Sequence, residues 1–120
     1  MIRLIISFLL LVMMVSCKAQ DCNNLPGSFA SYKQAISLIK ESKFKFSESA
    51  NTSNSSWITG AKYYSCDGMT GYFIYSTNKG AEYVHVGVPK AIWEGFKNAS
   101  SKGSYYNAKL KDRYQLNVSR

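Results

Sequence analysis

The stretch from Trp57 to Val88, WITGAKYYSCDGMTGYFIYSTNKGAEYVHVGV, decides the fold class. It breaks into three runs rich in aromatic and β-branched residues: Trp57–Tyr64, Gly71–Thr77 and Ala81–Val88. Such residues suit a pleated, half-buried surface. The runs are separated by Cys66-Asp67-Gly68 and Asn78-Lys79-Gly80, both turn formers. Connections this short favour antiparallel neighbours, because parallel strands need a long crossover. A three-stranded antiparallel meander is therefore expected. Along the third run, Val84, Val86 and Val88 share one face and read as core, with Tyr83 and His85 on the other.

Helical patterns flank the meander. Upstream, Phe29, Tyr32, Ile36 and Ile39 recur at helical spacing and predict an amphipathic helix from about Ser28 to Ser42. Ser47 to Ser56, SESANTSNSS, then reads as a polar loop. Downstream, Pro89 suits the first position of a helix whose apolar face is Ile92, Trp93, Phe96 and Ala99. The Ser100–Gly103 break ends it. A last helix is expected near Ser104, with Tyr106, Leu110 and Tyr114 as its buried stripe. The expectation is thus an α+β domain: an N-terminal helix, a three-stranded antiparallel β-meander and two C-terminal helices.

The first residues, MIRLIISFLLLVMMVSCKAQ, have the form of a secretory signal: Arg3, an apolar stretch from Leu4 to Val15, then small or polar residues. The apolar stretch falls short of the roughly 20 residues of a spanning helix. Met14-Val15-Ser16-Cys17 resembles a bacterial lipobox, which makes Cys17 the expected lipidation site. Cleavage after Ala19 is the alternative route. The expected organisation is a signal over 1–16 (or 1–19), a tether over 17–27, a helical extension over 28–46, a polar loop over 47–54 and a domain over 55–116. The expected location is the bacterial cell envelope, as a periplasmic or outer-membrane lipoprotein, or else the outside of the cell as a free secreted protein. With Cys17 consumed or removed, Cys22 and Cys66 remain, and an oxidising compartment favours a disulfide between them.

The chain carries fifteen basic and seven acidic residues, a net charge of +8. Without Arg3 and Lys18 the balance is thirteen against seven, or +6. A basic balance attracts anionic partners such as nucleic acid, lipid head groups and acidic polysaccharides. Here the charges are dispersed, which is the pattern of a solvated surface.

Ser55-Ser56-x-Ile58, the hairpin, Gly80-x-x-Tyr83, Val88-Pro89, Ala99-Ser100-Ser101-Lys102-Gly103 and Tyr106-Asn107 follow one another in an order that resembles the KTSC domain. This small module is named for its place at the C-terminus of some lysyl-tRNA synthetases and also stands alone in bacterial proteins. The resemblance covers about Ser55 to Leu116. The family's Tyr-x-Tyr pair is here Tyr83-Val84-His85. The synthetase context implies RNA binding, an implication that fits an exported protein poorly.

The inventory for catalysis is sparse. His85 is the single histidine, too few ligands for a metal site, and no cofactor is expected. A Cys66–His85 nucleophile pair requires a free Cys66. The seven acidic residues form no evident acid/base couple, and no phosphate loop or nucleophile elbow is present. Binding is the remaining class. One candidate platform is Tyr83 with His85, provided that the N-terminal helix does not cover that face; coverage is the expected arrangement. The other is a C-terminal surface of Tyr105, Lys109 and Arg113, with Lys102 nearby. The expected function is a non-catalytic envelope module binding a macromolecule or glycan, anionic in character, with membrane contact through Cys17. The alternative is a nucleic-acid-binding domain.

Overall fold

The computed structural model describes residues 20–119. They form strand β1 (Gln20–Asp21), a 3-10 turn (Cys22–Asn24), helix α1 (Tyr32–Glu41) and strands β2 (Ser42–Lys43), β3 (Phe46–Ser49), β4 (Ile58–Ser65), β5 (Thr70–Thr77) and β6 (Glu82–Pro89). Helices α2 (Lys90–Asn98) and α3 (Lys102–Lys109) follow. The main sheet runs β3-β4-β5-β6, antiparallel throughout, while β1 and β2 form a small parallel pair. The α+β class and the antiparallel meander stand as expected. Among the described residues, no helix is long and apolar enough to cross a membrane.

Several expectations need correction. The sheet has four strands, because residues 46–49 of the expected helical extension and polar loop pair with β4. Phe46 packs against Tyr63, and two residues on Glu48 accepts from the Trp93 indole at 2.8 Å and pairs with Lys97 at 2.9 Å. The strand's inward-facing residues are therefore held by partners distant in sequence. Helix α1 starts at Tyr32 rather than Ser28. Ser31 caps it, accepting from the Gln34 N–H at 3.1 Å, while the Gln34 side chain reaches back to the Ala30 N–H at 2.7 Å. That is a variant of the capping box. Pro89 closes β6 and caps α2 instead of opening it. Helix α3 begins at Lys102, on the Ser101 cap, and ends before Tyr114.

The sheet is covered on both sides, and the strand pleat divides the core in two. On one face Ala35, Ile36 and Ile39 of α1 pack on Ile74 and Val84, joined by Phe29 and Leu116. On the other, Trp93 and Phe96 of α2 and Tyr106 of α3, with Leu110 just past its end, pack on Tyr63, Phe73 and Tyr75. So α1 covers the valine face, not the Tyr83/His85 face it was expected to cover. Val88 also changes side, joining the Trp93 core. The reason is a β-bulge: Gly71 pairs with Val88 and Phe73 with His85, so β6 carries one residue more than β5 between those pairs. Gly87 accommodates it at φ 65°, where a side chain is disfavoured. Opposite, a Cβ on Gly71 would collide with the Tyr64 carbonyl.

Cys22 and Cys66 are joined in a disulfide with 5.9 Å between Cα atoms. It ties the 3-10 turn before α1 to the β4–β5 turn, where Asp67 accepts from the Met69 and Thr70 N–H groups. These backbone hydrogen bonds, Thr70's first, hold the Asp67 carboxyl below the usual carboxylate range. The C-terminal segment returns along the open edge of β6: the Val86 N–H donates to the Tyr114 carbonyl at 2.8 Å, and Phe29 bridges to Val118. An exposed strand edge is thereby partly closed.

Candidate functional site

A cleft of about 700 Å³ opens where the β5–β6 hairpin, the end of α3 and the start of α1 meet. Its floor is a chain of buried polar groups. The Tyr75 and Tyr106 hydroxyls lie 2.7 Å apart, and Tyr106 lies 3.0 Å from His85 Nε2. His85 Nδ1 lies 2.8 Å from the Arg113 carbonyl oxygen. That oxygen can only accept, so Nδ1 carries a proton. Burial pulls the His85 pKa below the ordinary imidazole value, despite the opposing bond to Arg113, so the ring is neutral and Nε2 accepts. Tyr106 therefore donates to His85, and Tyr75 donates to Tyr106. Desolvation raises the pKa of both phenols, keeping them protonated. The floor supplies oriented, uncharged hydroxyls that lock side chains in place.

Aromatic rings wall the cleft. Tyr32 and Tyr83 are 42% and 43% exposed, two of the three large hydrophobic residues left open among those described. Their rings meet edge to face, 6.4 Å apart at 79°. Half-buried Trp57 stands against Tyr75 and Tyr106 at 6.3 and 5.6 Å, nearly perpendicular to both. Asn78, Asn107 and Gln115 add amides, and Lys79, Lys111 and Asp112 add charges of both signs. Asp112 has φ 62° and Tyr114 φ 52°, two left-handed non-glycine residues in the turn that swings the chain from α3 onto β6. Such conformations persist only where the surroundings enforce them.

The candidate residues fall in different places. Tyr83 and His85 both line the cleft, Tyr83 at its mouth and His85 in its floor. In the C-terminal group, two of the polar side chains are engaged within the fold. The Lys102 ammonium donates to the Lys97 and Ala99 carbonyls, both at 3.2 Å, and closes the end of α2. The Tyr105 hydroxyl donates to the Ile92 carbonyl at 2.9 Å and packs over Gly95. Lys109 and Arg113 are exposed, with Arg113 beyond the helix and its carbonyl held by His85. Cys17, the expected lipid site, and the signal over 1–16 lie outside the described residues. Among the described residues, Asp21, Cys22 and Cys66 group donors of metal-binding type, but both sulfurs are in the disulfide.

Reasoning from the sequence missed Tyr32, Trp57, Tyr75, Tyr106 and Asp112 as members of one site. Tyr32 appeared in it only as a helix-stripe residue, Tyr106 as a stripe residue and in the Tyr106-Asn107 pair of the KTSC resemblance, and Trp57 and Tyr75 only as strand residues.

Residues 75–114 match the KTSC domain family. No curated protein and no solved structure matches the chain. The KTSC segment runs from the middle of β5 to the turn after α3, narrower than the resemblance over 55–116. It contains the whole Tyr75–Tyr106–His85 floor and Tyr83, whereas Tyr32 and Trp57 come from outside it.

Proposed function

We propose that this chain is a small, non-catalytic binding module of the bacterial cell envelope, exported and held to a membrane by lipid on Cys17. Its ligand would lie in the cleft between Tyr32, Trp57 and Tyr83. The observation that carries this reading is the open aromatic corner over a rigid floor. Ligand sites are commonly concave, about 300–1,000 Å³, and lined by aromatic groups with a few polar ones. This cleft has that size, and aromatic and polar side chains line it in about equal measure. The leader-like first residues and the Cys22–Cys66 disulfide support an oxidising location. The spent inward hydroxyls and the neutral His85 support binding without chemistry.

Two measurements test it. The mass of the mature chain from its native host reports processing: acylated Cys17 as first residue is expected, and an intact N-terminus in a cytoplasmic fraction would sink the export reading. Amide NMR of the mature chain, titrated with a solubilised peptidoglycan digest and a uridylate oligomer, tests the cleft. Saturable shifts around Tyr32, Trp57 and Tyr83 are expected with one of the two. Shifts confined to the Lys109/Arg113 side would move the site there.

A further inference from the structure

The cleft's chemistry points to one ligand class. We propose that it binds a neutral oligosaccharide, a deepening that rests on the cleft being a binding site. A pyranose ring presents C–H groups on its faces and hydroxyls around its edge. The faces suit aromatic rings, whose π-surface carries negative charge. Tyr83 and Tyr32, set at 79° to one another, offer such surface in two directions, and Trp57 adds a third ring. Each sugar hydroxyl both donates and accepts. Side-chain amides do the same, and a carboxylate accepts from two hydroxyls at once. Asn107, Asp112 and Gln115, all from the end of α3 and the segment after it, add such groups to the cleft's lining.

Charge argues against the nucleic-acid alternative. A strand-binding groove follows a phosphate chain with basic residues. Here Lys79 and Lys111 stand with Asp112, leaving the cleft one net positive charge, although the whole chain carries +8. Most of the chain's basic residues lie away from this cleft. Asp112 belongs to no ion pair among the described residues, so its carboxylate is open to a hydroxyl and repels a phosphate. The ring-bearing residues from outside the KTSC segment, Tyr32 and Trp57, are the ones that shape the slot. Their position makes ligand choice a property of this chain and not of the shared module.

The test uses the two indole N–H resonances of the folded mature chain. Trp57 sits in the cleft, and Trp93 is buried with its N–H on Glu48, so one reports binding and the other reports the fold. The probes are chitotetraose, cellotetraose, an oligogalacturonate and a uridylate oligomer. Saturable movement of the Trp57 resonance with a neutral tetraose is expected, with Trp93 unmoved. The affinity should hold within about twofold between roughly 50 and 200 mM salt, where a site holding two or three phosphates of a single strand loses about tenfold. Tyr83→Ala should weaken it by about tenfold, one aromatic contact's worth. Movement with the uridylate or the galacturonate alone overturns the neutral-glycan proposal and leaves the cleft a binding site. No movement with any probe overturns the proposal, while the peptidoglycan digest above decides the cleft separately.

Discussion

The two faces of the sheet are built from different materials. Under α1 the core is mostly aliphatic: Ala35, Ile36 and Ile39 on Ile74 and Val84. Under α2 and α3 it is aromatic. Trp93 stacks on Tyr63 at 5.4 Å, and Phe96 meets Phe73 edge-on at 4.9 Å. It also holds polar groups, since Tyr63 donates to the Val88 carbonyl and Tyr75, Tyr106 and His85 bond one another. An aliphatic face needs only fitting volume, whereas the aromatic face also fixes ring orientation and hydrogen-bond direction. The candidate site grows from the second face, where side chains are held in defined directions. The KTSC segment supplies α2 and α3, while α1 lies outside it.

The largest effect should come from the aromatic face itself. Phe96→Ala removes a fully buried ring and should cost about 3–5 kcal/mol. Ile39→Ala on the aliphatic face should fall in the lower part of the roughly 2–5 kcal/mol span for such truncations. Denaturant unfolding of both variants would break the comparison if Ile39 proved the costlier loss. Next comes reduction of Cys22–Cys66, which closes a separation of 44 residues. A loss of about 2–4 kcal/mol is expected. Hydrogen exchange should then quicken in α1 before α3, and the reverse order would show that the bond serves the wrong face.

Tyr106→Phe is a smaller and sharper probe. It leaves the Tyr75 hydroxyl and His85 Nε2 without their shared partner, at about 1–3 kcal/mol. A neutral outcome would mean that water replaces the hydroxyl and that the floor is not rigid. The smallest effect is one of pH. The folded His85 pKa is depressed by burial, so its unfolded form binds the proton first. Stability should be full above about pH 6.5 and decline as pH falls through that value toward the lower folded pKa. His85→Gln should remove that step from thermal melts while leaving the separate acid loss from Asp67 and Glu48, whose pKa values are also lowered, at lower pH.

Much of the fold was legible because it is local. Asp67-Gly68 and Asn78-Lys79-Gly80 bend the chain whatever surrounds them, and the strands between them alternate as their pleat demands. Ser31-x-x-Gln34 even marks the true start of α1, a signal overshadowed by the apolar spacing from Phe29. Strand β3 was not legible, since Ser47-Glu48-Ser49 carries no apolar residue, and its partners are β4 along the backbone and Trp93 and Lys97 at the Glu48 carboxylate. The site was half legible. Tyr83 and His85 were visible as alternate residues of one strand, but Lys102 and Tyr105 proved to be tied to the end and backbone of α2.

By itself the sequence determined the turns, the antiparallel meander, the helix-forming segments and the cysteine pair, because each follows from backbone preference or from simple residue type. Only the tertiary structure decided which helix covers which face. A single extra residue at Gly87 reverses the direction of Val88, and no periodicity reveals such a reversal. It also decided the cleft, because Tyr32, Trp57, Tyr83 and Asp112 meet through packing across most of the chain's length. Side-chain neighbours of that kind are set by how two cores close on one sheet.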